Sequence, residues 1–188
     1  MKHIFNCSQR ITVLPQSPAA SSQKNLTGPP RVARDIVADL YNDIQRWNDS
    51  HVKGAQIVKQ IGILKSEYPK HYSFQLEEYT CNLYNVVQNL NTYKKNFVNY
   101  KTQIRALGQL DKTSEPLFIS LDVSSLSGLV EYITDAPKTM VLENIAHSKN
   151  KDEAMFFAAC WTLQPSITSS TNVKLEALLV ETGHRNFN

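Results

Sequence analysis

The sequence predicts an all-α fold: a long antiparallel helical hairpin, coiled-coil-like, followed by shorter C-terminal helices and preceded by a disordered N-terminal tail. From Leu76 to Leu107, apolar and aromatic residues recur at alternating spacings of three and four without a miss. Glycine is scarce, 6 of 188 residues, which disfavours a turn-dense β architecture. Four prolines, at 69, 116, 137 and 165, divide the remainder into long stretches of helical pattern. Proline punctuates in this way because it lacks an N–H and clashes with the preceding turn.

Residues 1–30 contain the other four prolines, a Ser/Gln/Ala-rich stretch, Lys2, Arg10 and Lys24, and no acid. With no clustered apolar groups, burial there cannot offset the entropy of ordering, and the segment reads as a disordered tail. Ser17-Pro18 within it is a minimal proline-directed phosphorylation site. Residues 31–188 are formally neutral, with 17 basic and 17 acidic side chains.

Residues 31–112 read as the hairpin. On its second helix the seam is Leu76, Tyr79, Leu83, Val86, Leu90, Tyr93, Phe97, Tyr100, Ile104 and Leu107. The opposite face carries Asn82, Asn85, Gln88, Asn89, Asn91, Asn96 and Asn99. Asparagine is a mediocre helix former, so this helix needs a partner. Upstream, Val37, Leu40, Ile44 and Trp47 keep the same rhythm, and Val58, Ile61 and Leu64 resume it after His51 and Gly54. The capping residues Asn48-Asp49-Ser50 mark a place for a kink or break. Stretches 32–66 and 72–107 match in length, and Glu67-Tyr68-Pro69-Lys70-His71 reads as the turn between them.

Residues 113–188 form the C-terminal helical region. Leu117 to Leu121 reads as a short extended piece, and Leu126, Leu129, Val130 and Ile133 as a helix behind the cap candidates Asp122, Ser124 and Ser125. Pro137 interrupts this helix, which resumes through Met140, Val141, Leu142 and Ile145. From Ala154 to Leu163 nine of ten residues are apolar, a helix covered on all sides or capped by another chain. A last helix, about 172–182, ends at Gly183, a residue suited to a C-terminal cap.

Chemistry is hard to find. The phosphate-loop, dinucleotide, zinc-protease and nucleophile-elbow signatures are all missing. Glu181-x-x-His184 is a single metal-type pair where a carboxylate-bridged site needs two, and Glu143 with His147 adds no more. Cys7, Cys81 and Cys160 are too far apart for zinc or a disulfide framework, which points to a reducing compartment. Lys94, Lys95, Lys101 and Arg105 make the only basic patch, and its aromatics fall on the seam side, so no direct nucleic-acid contact is expected. No window is long and apolar enough for a membrane span. The expectation is a non-enzyme with no catalytic residue, cofactor, metal or small-molecule substrate.

The stretch Trp161-Thr162-Leu163-Gln164-Pro165, then Leu175-Glu176-Ala177-Leu178-Leu179-Val180-Glu181-Thr182-Gly183-His184-Arg185, resembles the end of the cyclin-dependent kinase 2-interacting protein family (CINP). Ala33–Trp47 and Pro116-Leu117-Phe118 are similar to further elements of that family in the same order. The resemblance implies a non-catalytic nuclear adaptor, possible in the cytoplasm too, in DNA replication, the damage checkpoint and repair. The partners it implies are a cyclin-dependent kinase, a Cdc-seven-type kinase, a checkpoint kinase's partner subunit, and an AAA ATPase assembly acting on chromatin and in ribosome biogenesis. A coiled-coil subunit of a tethering or kinetochore-type complex would give the same hairpin, and a helical-bundle metalloenzyme is the third class.

The partner surface is expected on the C-terminal helices, at Phe157, Trp161, Gln164, Pro165, Leu175, Leu178, Leu179, Glu181, His184 and Arg185. So many large apolar groups exceed what one thin helical layer hides, and the Arg185 guanidinium offers a fork for a carboxylate on another protein.

Overall fold

Two long helices form because each carries an apolar stripe that the other covers. In the computed structural model, which describes residues 28–67, 73–110, 136–163 and 169–185, α1 (Pro29–Glu67) and α2 (Phe74–Leu110) span 39 and 37 residues. Only residues 68–73 separate them, too few to travel back along a helix of this length, so the pair is antiparallel. Leu76, Leu83, Val86, Leu90, Phe97 and Ile104 are buried, and Tyr79, Tyr93, Tyr100 and Leu107 pack half-buried against the same core. The seam predicted from spacing is therefore the observed seam. Burying each such side chain contributes about 1.5–3 kcal/mol.

Polar groups set the ends and the register. α1 starts at Pro29, inside the stretch assigned to the tail, because a proline in the first turn gives up an N–H that has no helical partner anyway. Gly28 precedes it at φ 69° and accepts from the Arg31 and Val32 N–H groups. Ser73 caps α2, its Oγ accepting from Leu76 N at 3.2 Å. At mid-hairpin the buried Asp43 carboxylate accepts from Asn96 Nδ2 (2.8 Å), Tyr100 OH (2.9 Å) and Arg46 Nη1 (3.1 Å). Asn96 thus faces α1, where the spacing had put it on the outer face. A slip in register would strand a buried carboxylate, which costs several kcal/mol. Burial and the bond to Asp43 raise the Tyr100 phenol above its ordinary range, and burial, then Asp43 and Asp35, raise the Asp39 carboxyl.

Three shorter helices complete the described residues: α3 (Ala136–Asn144), running into a 3₁₀ turn (Ile145–His147), α4 (Lys151–Thr162) and α5 (Ser169–Glu181). No strand occurs among the described residues. Pro137 sits in the first turn of α3, and Asn150 caps α4 by accepting from Glu153 N at 2.9 Å. The tail to residue 27, the 68–72 turn, the extended piece and helix expected within 111–135, and Gln164 and Pro165 lie outside the described residues. α2, α4, α5 and the 3₁₀ turn pack on α1, and α3 reaches it through Lys138.

α1 is continuous through 48–54, where the sequence allowed a break. His51 and Gly54 interrupt the apolar stripe because Trp161 of α4 docks there. The fully buried indole stacks on the His51 ring at 6.2 Å and 9°, and its Nε1 donates to His51 O at 3.0 Å. A Cβ on Gly54 would lie 1.9 Å from Trp161 Cζ2. A buried ring cannot retreat, so Gly54→Ala is expected to cost about 1–3 kcal/mol, outweighing the ~1 kcal/mol gained in helix propensity. Circular dichroism should show a lower thermal midpoint; an unchanged or higher one would refute this packing.

Candidate interaction surface

The C-terminal ending works as a clasp on α1. Gly183, at φ 72°, closes α5 in a Schellman motif: His184 N donates to Leu179 O (2.8 Å) and Gly183 N to Val180 O (3.0 Å). The turn sends the chain back over the start of α1, where His184 Nε2 donates to Arg34 O at 3.0 Å. Arg185 pairs with Glu176, lies over the Tyr41 ring at 5.5 Å, and donates from Nη2 to Tyr41 OH at 3.1 Å. The carboxylate that its fork meets belongs to its own chain. Buried Thr182 returns its hydroxyl proton to Leu178 O at 2.7 Å.

A second polar cluster joins α1, α3 and α4. Lys138 is buried, and its ammonium donates to Trp161 O at 2.5 Å and to His51 Nδ1 at 2.9 Å while lying 4.7 Å from the Trp161 ring centroid. Trp161 O is one of the last carbonyls of α4, at the negative end of the helix dipole, so the cation caps that end. Accepting at Nδ1 places the neutral imidazole proton on Nε2. Burial, then the Lys138 charge, push His51 down to about 4, and burial lowers Lys138 to about 8.

These contacts correct the expected accessibility of the C-terminal residues. Phe157, Trp161, Leu175, Leu178 and Leu179 are buried in the chain's own core. His184 and Arg185 are half-buried and engaged with α1, and Glu181 is half-buried too. The two-layer body hides more than a thin layer because α4 and α5 both lie on α1.

Exposed apolar side chains occur on several helices, Phe74 and Val173 among them, and a set of three lies on the outer side of α4. Ala154, Phe157 and Trp161 face inward, whereas Met155 (58% exposed), Phe156 (58%) and Leu163 (67%) face out. A shallow groove of about 530 Å³ runs between this helix and α1, lined by His51, Val52, Ala55, Gln56 and Lys59 on one side and Ala158, Ala159 and Thr162 on the other. Val52, itself 55% exposed, continues the apolar surface onto α1. The signal was present in the sequence: nine apolar residues in ten exceed one helical stripe. Their division into an inner and an outer face followed only from where α1 lies.

Other candidate groups stay apart. Among the described residues no three His, Cys, Asp or Glu side chains come together as a metal site would require. Cys81 is exposed and Cys160 half-buried, both as free thiols. No described helix is long and apolar enough to cross a membrane.

No protein-family model matches the chain. Two proteins named cyclin-dependent kinase 2-interacting protein are similar to it. The one from Xenopus laevis is 40% identical over 48 residues, 26% of this chain and 23% of that protein. The one from Bos taurus is 22% identical over 210 aligned residues, covering 93% of this chain and 96% of that protein. The likeness is thus short and close to one relative, and long and distant to the other.

Two outcomes test the internal contacts. The unfolded His51 imidazole titrates near 6.5 and the folded one near 4, so acidification adds a proton to the unfolded chain first. The whole shift corresponds to about 3 kcal/mol, and solvent screening of the half-buried ring reduces it. Stability should therefore fall by about 2 kcal/mol as pH drops across that window, and His51→Gln should flatten the loss. Lys138→Met removes the neighbouring positive charge, so the His51 midpoint, followed by NMR, should move upward; a midpoint that stays put would refute the contact. At the clasp, Arg185→Glu sets two carboxylates side by side and should lower the thermal midpoint by about 3–6 °C, from ~1–2 kcal/mol. Glu176→Arg in the same chain should recover part of that loss. A melt indifferent to Arg185→Glu would show that the ending does not clasp α1.

Proposed function

We propose that the chain is a non-catalytic adaptor that binds a cyclin-dependent kinase through the outer face of α4, working in the nucleus and also present in the cytoplasm. The observation that carries this reading is the exposed set Met155, Phe156 and Leu163, joined by Val52 across the groove. Aromatic and methionine side chains open to water in one patch are what a protein interface uses, and a solvated helix face normally avoids them. The name shared by both relatives supplies the kinase class.

The wider reading follows from the resemblance of the C-terminal stretch. The adaptor links that kinase, and a Cdc-seven-type kinase, to DNA replication. It meets a checkpoint kinase's partner subunit in the damage response, and it serves an AAA ATPase assembly in chromatin replication and ribosome biogenesis. The two-layer body supports an adaptor, because a clasped C-terminus and a docked α4 give the exposed patch a rigid mount.

Purified full-length chain should bind purified cyclin-dependent kinase 2 in biolayer interferometry. Phe156→Glu should weaken that binding at least about tenfold, since an interface aromatic contributes ~2 kcal/mol or more. The thermal midpoint should hold, because Phe156 is already exposed. Kinase that ignores the chain, or binds the Phe156→Glu variant equally, would overturn the reading.

A further inference from the structure

Three features in and beside the α1/α4 groove serve no contact among the described residues. The first is its shape. Val52, Ala55, Gln56 and Lys59 follow the i, i+3, i+4, i+7 spacing of one helical stripe, and Met155, Ala158, Ala159 and Thr162 follow it on α4. Of these only Met155 is not among the groove's lining residues. Two open stripes flanking one helix–helix contact form the seat that a further helix occupies in a bundle. Alanines at 55, 158 and 159 keep the floor low enough for its side chains to interdigitate.

The second feature is charge. Among the described lining residues Lys59 carries the one formal charge, and no carboxylate lines the groove. Lys151 continues the α4 stripe one turn before Met155; Asp152 and Glu153 share that turn off the stripe, Glu153 accepting from Lys149 N. α1 carries no acid from Ser50 to Ser66, and α4 carries no charge from Ala154 to Thr162. An apolar seat edged by cations favours an occupant with carboxylates along the flank of its apolar stripe.

The third feature is Gly62. It lies two turns beyond Ala55 on the same side of α1, and a Cβ added there would meet nothing within 4 Å. Glycine inside a helix is less favourable than alanine, and packing among the described residues does not require it here, in contrast to Gly54. Close approach of another backbone is the remaining use of a glycine at such a place.

We propose that the groove between α1 and α4 receives an amphipathic helix of a partner protein, with acidic residues beside its apolar stripe and its closest backbone approach at Gly62. This deepens the adaptor reading and rests on it, but its probe is separate from the kinase.

Two fluorescein-labelled helical peptides of about 18 residues, five turns each, test it by anisotropy against the full-length chain. They share one Leu/Ala stripe; one is flanked by Glu and the other by Lys. The Glu-flanked peptide is expected to bind at least about tenfold more tightly, and Lys59→Glu with Lys151→Glu should invert the preference. Gly62→Gln should weaken the Glu-flanked peptide by about tenfold while the thermal midpoint holds or rises, a separation that a purely structural glycine would not produce. Equal affinity for both peptides, no binding of either, or binding indifferent to Gly62→Gln and Val52→Asp would overturn the proposal. A dimer in sedimentation velocity that Val52→Asp dissociates would assign the groove to a second copy and overturn it as well. Kinase binding that persists while the peptide fails leaves the adaptor reading standing without this one; peptide binding without kinase binding does the reverse.

Discussion

The contact between Trp161 and the side-chain-free surface of Gly54 organises the structure beyond the hairpin. A tryptophan buries some 150–250 Å², and here the indole reaches the α1 backbone, stacks on His51 and satisfies its N–H on His51 O. The same residue's carbonyl receives the Lys138 ammonium, which brings α3 to the junction. Three helices therefore converge on one side chain. The price is a gap in the apolar stripe of α1, and the continuous helix shows that a docking site, not a break, occupies it.

Polar groups in this protein define alignment more than they add stability. Asp43 ties α1 to α2 at one register through Asn96 and Tyr100. Lys138 ties α3 to the C-terminal end of α4, and Arg185 ties the chain's ending to Tyr41 near the start of α1. Asp43 and Lys138 are charges held away from water, which contribute little net stability but penalise alternatives that would leave them unpaired, while Arg185 is only half-buried. Trp47 Nε1, buried beside Phe97, finds no partner, so the seam tolerates one orphaned donor for the sake of aromatic packing. Among the described residues, Met155, Phe156 and Leu163 keep an apolar face of α4 in water beside these internal contacts.

The hairpin was legible because its signal is local and repeated. An alternation of three and four leaves no choice of face, so the buried set on α2 followed from spacing alone. Gly183 was equally legible, since a left-handed residue after a helical run has one common use. The candidate surface was less so. An almost uniformly apolar α4 carries no periodicity to separate Phe157 from Phe156, although one is buried and the other open. The Gly-His-Arg ending looked like a surface feature because its partners, Arg34 and Tyr41, are some 150 and 144 residues away in the chain.

By itself, then, the sequence determined the helical class, the hairpin, the seam and the cap that ends α5. All of these depend on residues within a few turns of one another or on a pattern that repeats. Tertiary structure alone decided that α1 stays whole at Gly54, that Asn96 turns inward to Asp43, and that Arg185 spends its fork on Glu176. It also decided which half of α4 remains in water. Those outcomes depend on contacts between distant segments, where one close approach outweighs the local preferences of every residue around it.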